Sequence, residues 1–162
     1  MLAKQAVVGL AVAAFIGSSL PVMADSQLTA NQTVNLQVDE IQQISVSGPA
    51  TLHITTAVPG SGPRTVRDAT TTYSVTSNDR TKKISARINA SLPTGMALNL
   101  TATAPTGGAS TGKKTLTTSD QDVVTGLSKL NDTAGLTYEL AATAEAGKLP
   151  ATTRTVVLTI TE

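Results

Sequence analysis

Apolar and polar residues alternate with a period of two through most of the chain, and this pattern is the strongest constraint on its fold. It is clearest over residues 136–144, where Leu136, Tyr138 and Leu140 are separated by single polar or small residues. Successive side chains of a β-strand point to opposite faces of the sheet, so this spacing predicts strands with one buried and one exposed face. The same spacing recurs at residues 34–38, 44–46, 52–54, 73–75, 84–88, 96–102 and 156–160.

Clusters of glycine and proline separate these segments, at residues 48–49, 59–63, 93–95, 105–112 and 147–150. Short strands divided by regular turn signals predict an all-β fold, a single antiparallel β-sandwich of immunoglobulin-like or jelly-roll-like type with about eight or nine strands. Residues 136–144 and 156–160 are expected to form an antiparallel hairpin. Residues 120–130 are the one candidate for a short helix or 3-10 turn.

The first 24 residues have the three parts of a secretory signal peptide. Lys4 provides a basic start, residues 6–16 are apolar, and Val22 and Ala24 occupy the −3 and −1 positions before Asp25. A membrane anchor is the alternative, but the apolar run is shorter than the roughly 20 residues that span a bilayer. We therefore expect residues 1–24 to be cleaved and residues 25–162 to be exported as one β-sandwich domain without stable membrane insertion.

Composition excludes several classes of function. The chain has no cysteine, which rules out disulfides, thiolate nucleophiles and Cys-ligated metals. Without Lys4 it has 11 basic and 11 acidic residues, so no net field attracts it to nucleic acid. Residues 25–162 include 28 threonines, and threonine is favoured on half-exposed strands. A neutral, threonine-rich exported chain favours a wall, coat or fibre component over an enzyme.

Candidate catalytic residues are few. His53 is the only histidine, and it lies opposite Leu52 and Ile54 in an alternating segment, so we expect it to face solvent. The neighbouring carboxylates Asp39 and Glu40 lie in a turn-like context. The sequence contains neither a glycine-rich phosphate loop nor a histidine-based metal spacing. We therefore predict that the protein is not an enzyme and has no catalytic residue and no cofactor.

Calcium is the one metal for which the sequence offers ligands. Oxygen donors are present at Asp120, Asp122, Asn131 and Asp132. The spacing of an EF-hand loop is absent, and such residues more often cap backbone amides in turns. No metal ligand is therefore assigned, and calcium binding remains an alternative.

The densest group of basic residues is expected to protect a sheet edge. Arg80, Lys82, Lys83 and Arg87 surround one turn and the strand that follows it. Charged side chains on an edge strand oppose uncontrolled pairing with other chains. Aromatic residues that could stack on bases are nearly absent here, so we predict no nucleic-acid partner.

The segment after the signal peptide allows two interpretations. Residues 25–33 are polar, apart from Leu28, and precede the alternating residues Val34, Leu36 and Val38. This segment could pair within its own sheet. It could instead be exchangeable and add a strand to the sheet of a neighbouring subunit. In the second case Leu28, Val34, Leu36 and Val38 are the candidate inter-subunit strand.

The signal peptide, the alternating residues 34–38 and the apolar closing segment 153–161 together support a resemblance. The layout resembles small exported β-sandwich subunits of bacterial surface fibres and coats, such as spore coat protein U-type, pilin-like and TasA-type biofilm fibre proteins. The resemblance implies a secreted or cell-surface structural protein that self-assembles into a fibre, pilus-like filament or coat, with the periplasm as another location. The chain lacks the cysteine pair of many pilins.

A monomeric extracellular module is the alternative function. Such a module would bind a carbohydrate or another surface protein, with the loops at residues 59–63 and 105–112 as its contact surface.

Overall fold

The computed structural model of the protein describes residues 29–162. The predicted signal peptide, residues 1–24, and the candidate strand residue Leu28 lie outside the described residues. The chain divides into two units, Met1–Leu36 and Gln37–Glu162. The described part of the first unit, residues 29–36, contains no helix or strand.

The second unit contains nine β-strands and one 3-10 turn at Ala144–Ala146, and no α-helix occurs within residues 29–162. The strands are β1 (Gln42–Val46), β2 (Val66–Ser77), β3 (Lys82–Ile88), β4 (Met96–Ala102), β5 (Ala109–Ser110), β6 (Lys114–Thr115), β7 (Gln121–Leu127), β8 (Leu130–Ala142) and β9 (Val156–Thr161).

The strands form two sheets in which every pair is antiparallel. One sheet has the order β1-β2-β8-β4-β6 and the other the order β5-β7-β3-β9. The alternation along β2 and β8 sets their register, which places Tyr73 opposite Ala134 and Thr71 opposite Leu136. The predicted all-β, antiparallel sandwich of about nine strands is confirmed.

The core lies between the two sheets and is almost entirely aliphatic. Leu100 and Leu136 come from the five-stranded sheet, and Ile84 and Val124 come from the four-stranded sheet; each is 1% exposed or less. Every buried polar side-chain atom among the described residues has a hydrogen-bond partner, so this core carries no unsatisfied polar group.

The expected helix at residues 120–130 is wrong. Residues Gln121–Leu127 are strand β7, which pairs with β3 and β5. Val123, Val124 and Leu127 are all buried, and their spacing matches one face of a helix as well as an irregular strand. The register with β3 shifts on either side of Ile84, and this irregularity breaks the simple period of two.

The hairpin expected at residues 136–144 and 156–160 is also wrong. The first segment belongs to β8, which pairs with β2 and β4, whereas β9 pairs with β3 in the other sheet. The intervening residues include the 3-10 turn and connect one sheet to the other. Adjacent strands in a sandwich need not pair, because each has two sheets available to it.

Two further segments alternate in sequence but form no strand. Residues 34–38 have no ladder partner, and Val34, Leu36 and Val38 are exposed. Residues 52–54 also lie outside the strands, although their side chains do alternate. Leu52 and Ile54 are half-buried and His53 is exposed, so the expected orientation of the histidine is confirmed.

We expect Leu100→Ala to destabilise the domain by about 2–5 kcal/mol, because it removes a fully buried side chain and leaves a cavity between the sheets. Urea unfolding followed by circular dichroism measures this difference. Leu149→Ala is the matched control: Leu149 is 38% exposed, and its truncation should change stability by less than about 0.5 kcal/mol. Equal losses in the two variants would contradict this description of the core.

Candidate functional site

The candidate inter-subunit strand is exposed where the structure describes it. Val34 is 66% exposed, Leu36 89% and Val38 81%. An isolated exposed apolar residue is ordinary on a protein surface, but three at alternate positions form one apolar face of an extended segment. Leu28, the fourth predicted member, lies outside the described residues.

Asn78 holds the residues that lead from this segment into β1. Its side-chain Oδ1 accepts a hydrogen bond from the Ile41 backbone N–H at 2.8 Å, and its Nδ2 donates to the Asp39 carbonyl at 2.7 Å. The Asn78 backbone N–H also donates to the Ile41 carbonyl at 3.2 Å. Because Gln42 pairs with Ser77, the bonds between Ile41 and Asn78 continue the β1–β2 ladder by one residue, and the Asn78 side chain also holds Asp39.

Lys82 anchors the same region through charge. Its ammonium nitrogen lies 3.0 Å from a carboxylate oxygen of Asp79, 3.1 Å from one of Glu162 and 3.2 Å from one of Glu40. Lys82 itself is 3% exposed, whereas the three carboxylates remain in contact with solvent. Hydrogen bonds to Asp79, Glu162 and Glu40 raise the pKa of Lys82, so it stays charged over the physiological range. We call these four residues the lysine node.

The lysine node joins the ends of two edge strands. Glu40 precedes β1, at one edge of the five-stranded sheet, and Glu162 follows β9, at one edge of the four-stranded sheet. Because the beginning of β1 and the end of β9 reach the same ammonium, the two strands run in opposite directions on the same side of the sandwich.

Between β1 and β9 lies an apolar groove, which we call the seam. It has a volume of about 90 Å³. Its lining is apolar except for Ser45: Ile44, Ser45 and Val46 line it from β1, and Val156 and Leu158 line it from β9. Val46 is 54% exposed, and the other three apolar residues are half-buried against the core. The two sheets therefore leave part of the apolar interior uncovered along this side.

The two remaining edge strands differ from these in length. β5 and β6 have two residues each, whereas β1 has five and β9 has six. Very short edge strands offer few free backbone groups to another chain. The edge formed by β5 and β6 is thus a poor template for pairing, and the edge formed by β1 and β9 is a good one.

A second groove, of about 430 Å³, lies on the β1–β2 surface and is polar. Its lining is polar except for Ile44: Gln42, Gln43, Ile44 and Ser45 line it from β1, and Ser74 and Thr76 line it from β2. No aromatic ring is among its lining residues.

The residues considered for calcium do not form one cluster. Asp120 and Asp122 form ion pairs with β3. The Asp120 Oδ1 lies 3.5 Å from the Arg87 Nε, and the Asp122 Oδ2 lies 3.4 Å from the Lys83 Nζ. Asp132 instead accepts hydrogen bonds from the Thr106 backbone N–H and hydroxyl and from the Thr133 backbone N–H, and these bonds lower the pKa of Asp132. Within residues 29–162 no group of three or more acidic or histidine side chains is arranged so that it could hold a metal ion.

The basic group does not protect a sheet edge, as the sequence suggested. Lys82, Lys83 and Arg87 lie on β3, which is an interior strand between β7 and β9. Each of the three pairs with a carboxylate. β3 is not an edge strand because β9 pairs with the side of β3 that faces away from β7.

The two loops proposed as a contact surface for the alternative function are partly structured. Residues 59–63 lie within a turn closed by the bridge between Ala57 and Pro63. Residues 105–112 contain β5, which pairs with β7.

No protein-family model matches the chain, and no curated protein matches it. Within residues 29–162, no helix has the length and apolar character needed to cross a bilayer.

We expect Asp79→Asn to lower the unfolding temperature at pH 7, with a smaller deficit in acid. The Arg80 backbone N–H and the Lys82 ammonium lower the pKa of Asp79 in the folded state. An aspartate whose pKa is lower in the folded state than in the unfolded state stabilises the fold when it is ionised. This contribution is fully present above the unfolded pKa of about 3.9, and it is lost as the pH falls through the lower pKa of the folded state. Thermal melts between pH 7 and pH 2 measure the difference.

Asp120→Asn serves as the control, because Asp120 makes one long ion pair on the surface. Its melting curve should follow that of the unsubstituted protein at every pH. A deficit for Asp79→Asn that persists unchanged at pH 2 would contradict the electrostatic role of Asp79.

Proposed function

We propose that the chain is an exported structural protein that assembles with copies of itself into an extracellular fibre, pilus-like filament or coat. Neighbouring subunits would join by strand pairing between chains, which combines backbone hydrogen bonds with apolar side-chain contacts. The subunit needs no cofactor and catalyses no reaction in this proposal.

The observation that carries the proposal is where the exposed apolar residues lie. Among the described residues, seven large apolar side chains are exposed, and five of them fall between positions 34 and 46. These five are Val34, Leu36, Val38, Ile41 and Val46. Exposed apolar residues that adjoin one another, rather than lie scattered singly, mark interaction sites, and in an extended strand the alternate positions Val34, Leu36 and Val38 share one face.

Composition supports the same function. The expected mature chain has equal numbers of acidic and basic residues, so copies approach one another without net repulsion. Its many threonines suit extended, half-exposed strands.

The second candidate function is a monomeric extracellular binding or adhesion module for a carbohydrate or another surface protein. The polar groove on β1 and β2 favours it, because the amide and hydroxyl groups of Gln43, Ser45 and Ser74 can exchange hydrogen bonds with sugar hydroxyls. The absence of an aromatic ring from this groove is the argument against a sugar, since stacking on rings contributes much of the apolar contact in a ligand site.

The test of self-assembly is light scattering with negative-stain microscopy on the protein purified after export, over a concentration series. We expect filaments or a ladder of oligomers in the unsubstituted protein. Leu36→Asp should raise the concentration needed for assembly at least about tenfold, because burial of a leucine contributes about 1.5–3 kcal/mol.

Gln37→Asp is the matched control, since it introduces the same charge one position along, on the polar side of the alternating segment. It should assemble like the parent. A parent protein that stays monomeric at high concentration would refute spontaneous assembly, and direct binding of a glycan to that monomer would favour the second candidate.

A further inference from the structure

We infer that the seam between β1 and β9 is the acceptor site for assembly, and that residues 34–38 of a second copy occupy it as an added strand. This inference rests on the proposed function and adds to it the surface, the occupant and the residues in contact.

Both strands that border the seam, β1 and β9, have backbone groups that no other strand pairs with. β1 pairs only with β2, and β9 pairs only with β3, so within residues 29–162 each has one edge without a ladder partner. An incoming strand can therefore form main-chain hydrogen bonds with either sheet, and it meets strands of five and six residues. The edge formed by β5 and β6 offers only two residues on each strand.

The side chains of the seam match the segment. The incoming strand meets apolar groups from Ile44 and Val46 on one side and from Val156 and Leu158 on the other. The groove measures about 90 Å³, about three times the volume of one water molecule in the liquid, so it takes up side-chain atoms of the added strand while the backbone of that strand lies along the free edge. Ile44, Val156 and Leu158 are each packed against the core, so a strand placed here would extend that core.

Residues 34–38 have the length and pattern that the seam requires. A five-residue strand equals the length of β1. Val34, Leu36 and Val38 would face the groove, and Asn35 and Gln37 would face solvent. A shift of one residue would reverse this arrangement, so the apolar pattern also sets the register.

The anchored residues explain why a second copy is the occupant. Asn78 holds Asp39 and Ile41 in line with β1, and Lys82 holds Glu40 at the same end. A hairpin that paired residues 34–38 with the β1 of the same chain would need residues 39–41 as its turn. Those residues are instead held by Asn78 and Lys82, so the free edge of β1 is left for another chain.

The opposite directions of β1 and β9 limit the direction of the added strand. Because β1 and β9 run in opposite directions, a strand between them is antiparallel to one and parallel to the other. Antiparallel pairing is slightly more stable per residue, and the most exposed apolar side chain of the seam, Val46, lies on β1. We therefore expect the incoming strand to pair antiparallel to β1.

Disulfide trapping tests the inference, because the chain has no cysteine of its own. Two single variants, Leu36→Cys and Leu158→Cys, are prepared with different affinity tags, mixed, assembled and oxidised. Any disulfide joining the two tags then connects different copies. Val46→Cys replaces Leu158→Cys as a second seam position if the latter does not fold. The comparison mixture pairs Leu36→Cys with Thr115→Cys on β6, at the opposite edge.

We expect mixed-tag dimers from the seam pair to exceed those from the β6 pair at least about tenfold. Assembly with equal or greater trapping at Thr115 would overturn the seam inference and leave the proposed function intact. A second outcome would overturn it as well: a chain that carries both Leu36→Cys and Leu158→Cys forms an internal disulfide as a monomer. Failure of the parent to assemble by light scattering would instead refute the proposed function itself.

Discussion

Unpaired backbone at the edges of the two sheets is the constraint on which the other features of this molecule depend. An open sandwich has four edges, and each exposes N–H and C=O groups that another chain could use. Here two edges are reduced to the two-residue strands β5 and β6, whereas β1 and β9 retain five and six residues. The molecule thus limits pairing on one side and retains it on the other, where apolar side chains also reach the surface.

The core supports this asymmetry without help from large rings. Within residues 29–162 its only aromatic residues are Tyr73 and Tyr138, and both are buried. The Tyr73 hydroxyl donates a hydrogen bond to the Thr103 carbonyl at 2.7 Å, and burial raises the pKa of Tyr73 to about 12. Aliphatic side chains fill the remaining space between the sheets, and Ile44, Val156 and Leu158 at the β1–β9 side pack against this core while staying partly exposed. An additional strand at the seam would therefore continue the existing packing.

The period-two pattern was sufficient to predict the fold class and most strands, because it depends only on the geometry of a single strand. Pairing was harder to predict. The separation of β8 from β9 depends on which sheet each joins, and Val123, Val124 and Leu127 fit a helix as well as an irregular strand. The pattern predicted that Val34, Leu36 and Val38 share one face, but it did not predict that this face is exposed and that the segment has no strand partner within residues 29–162.

The lysine node and the contact of Asn78 could not have been found from the sequence. Asn78 and Asp79 look like ordinary turn residues there, and Glu40 and Glu162 are separated from Lys82 by 42 and 80 positions. Their role arises only when the fold brings the beginning of β1 to the end of β9.

Amide hydrogen exchange followed by mass spectrometry, on dilute monomer and on assembled protein, is the most direct measurement of the central claim that the open edge becomes paired between copies. The account predicts that assembly slows exchange over residues 34–38 and along β1 and β9, and leaves β5 and β6 unchanged. Assemblies in which residues 34–38 exchange as fast as in the monomer, or in which new protection falls on β5 and β6, would contradict it.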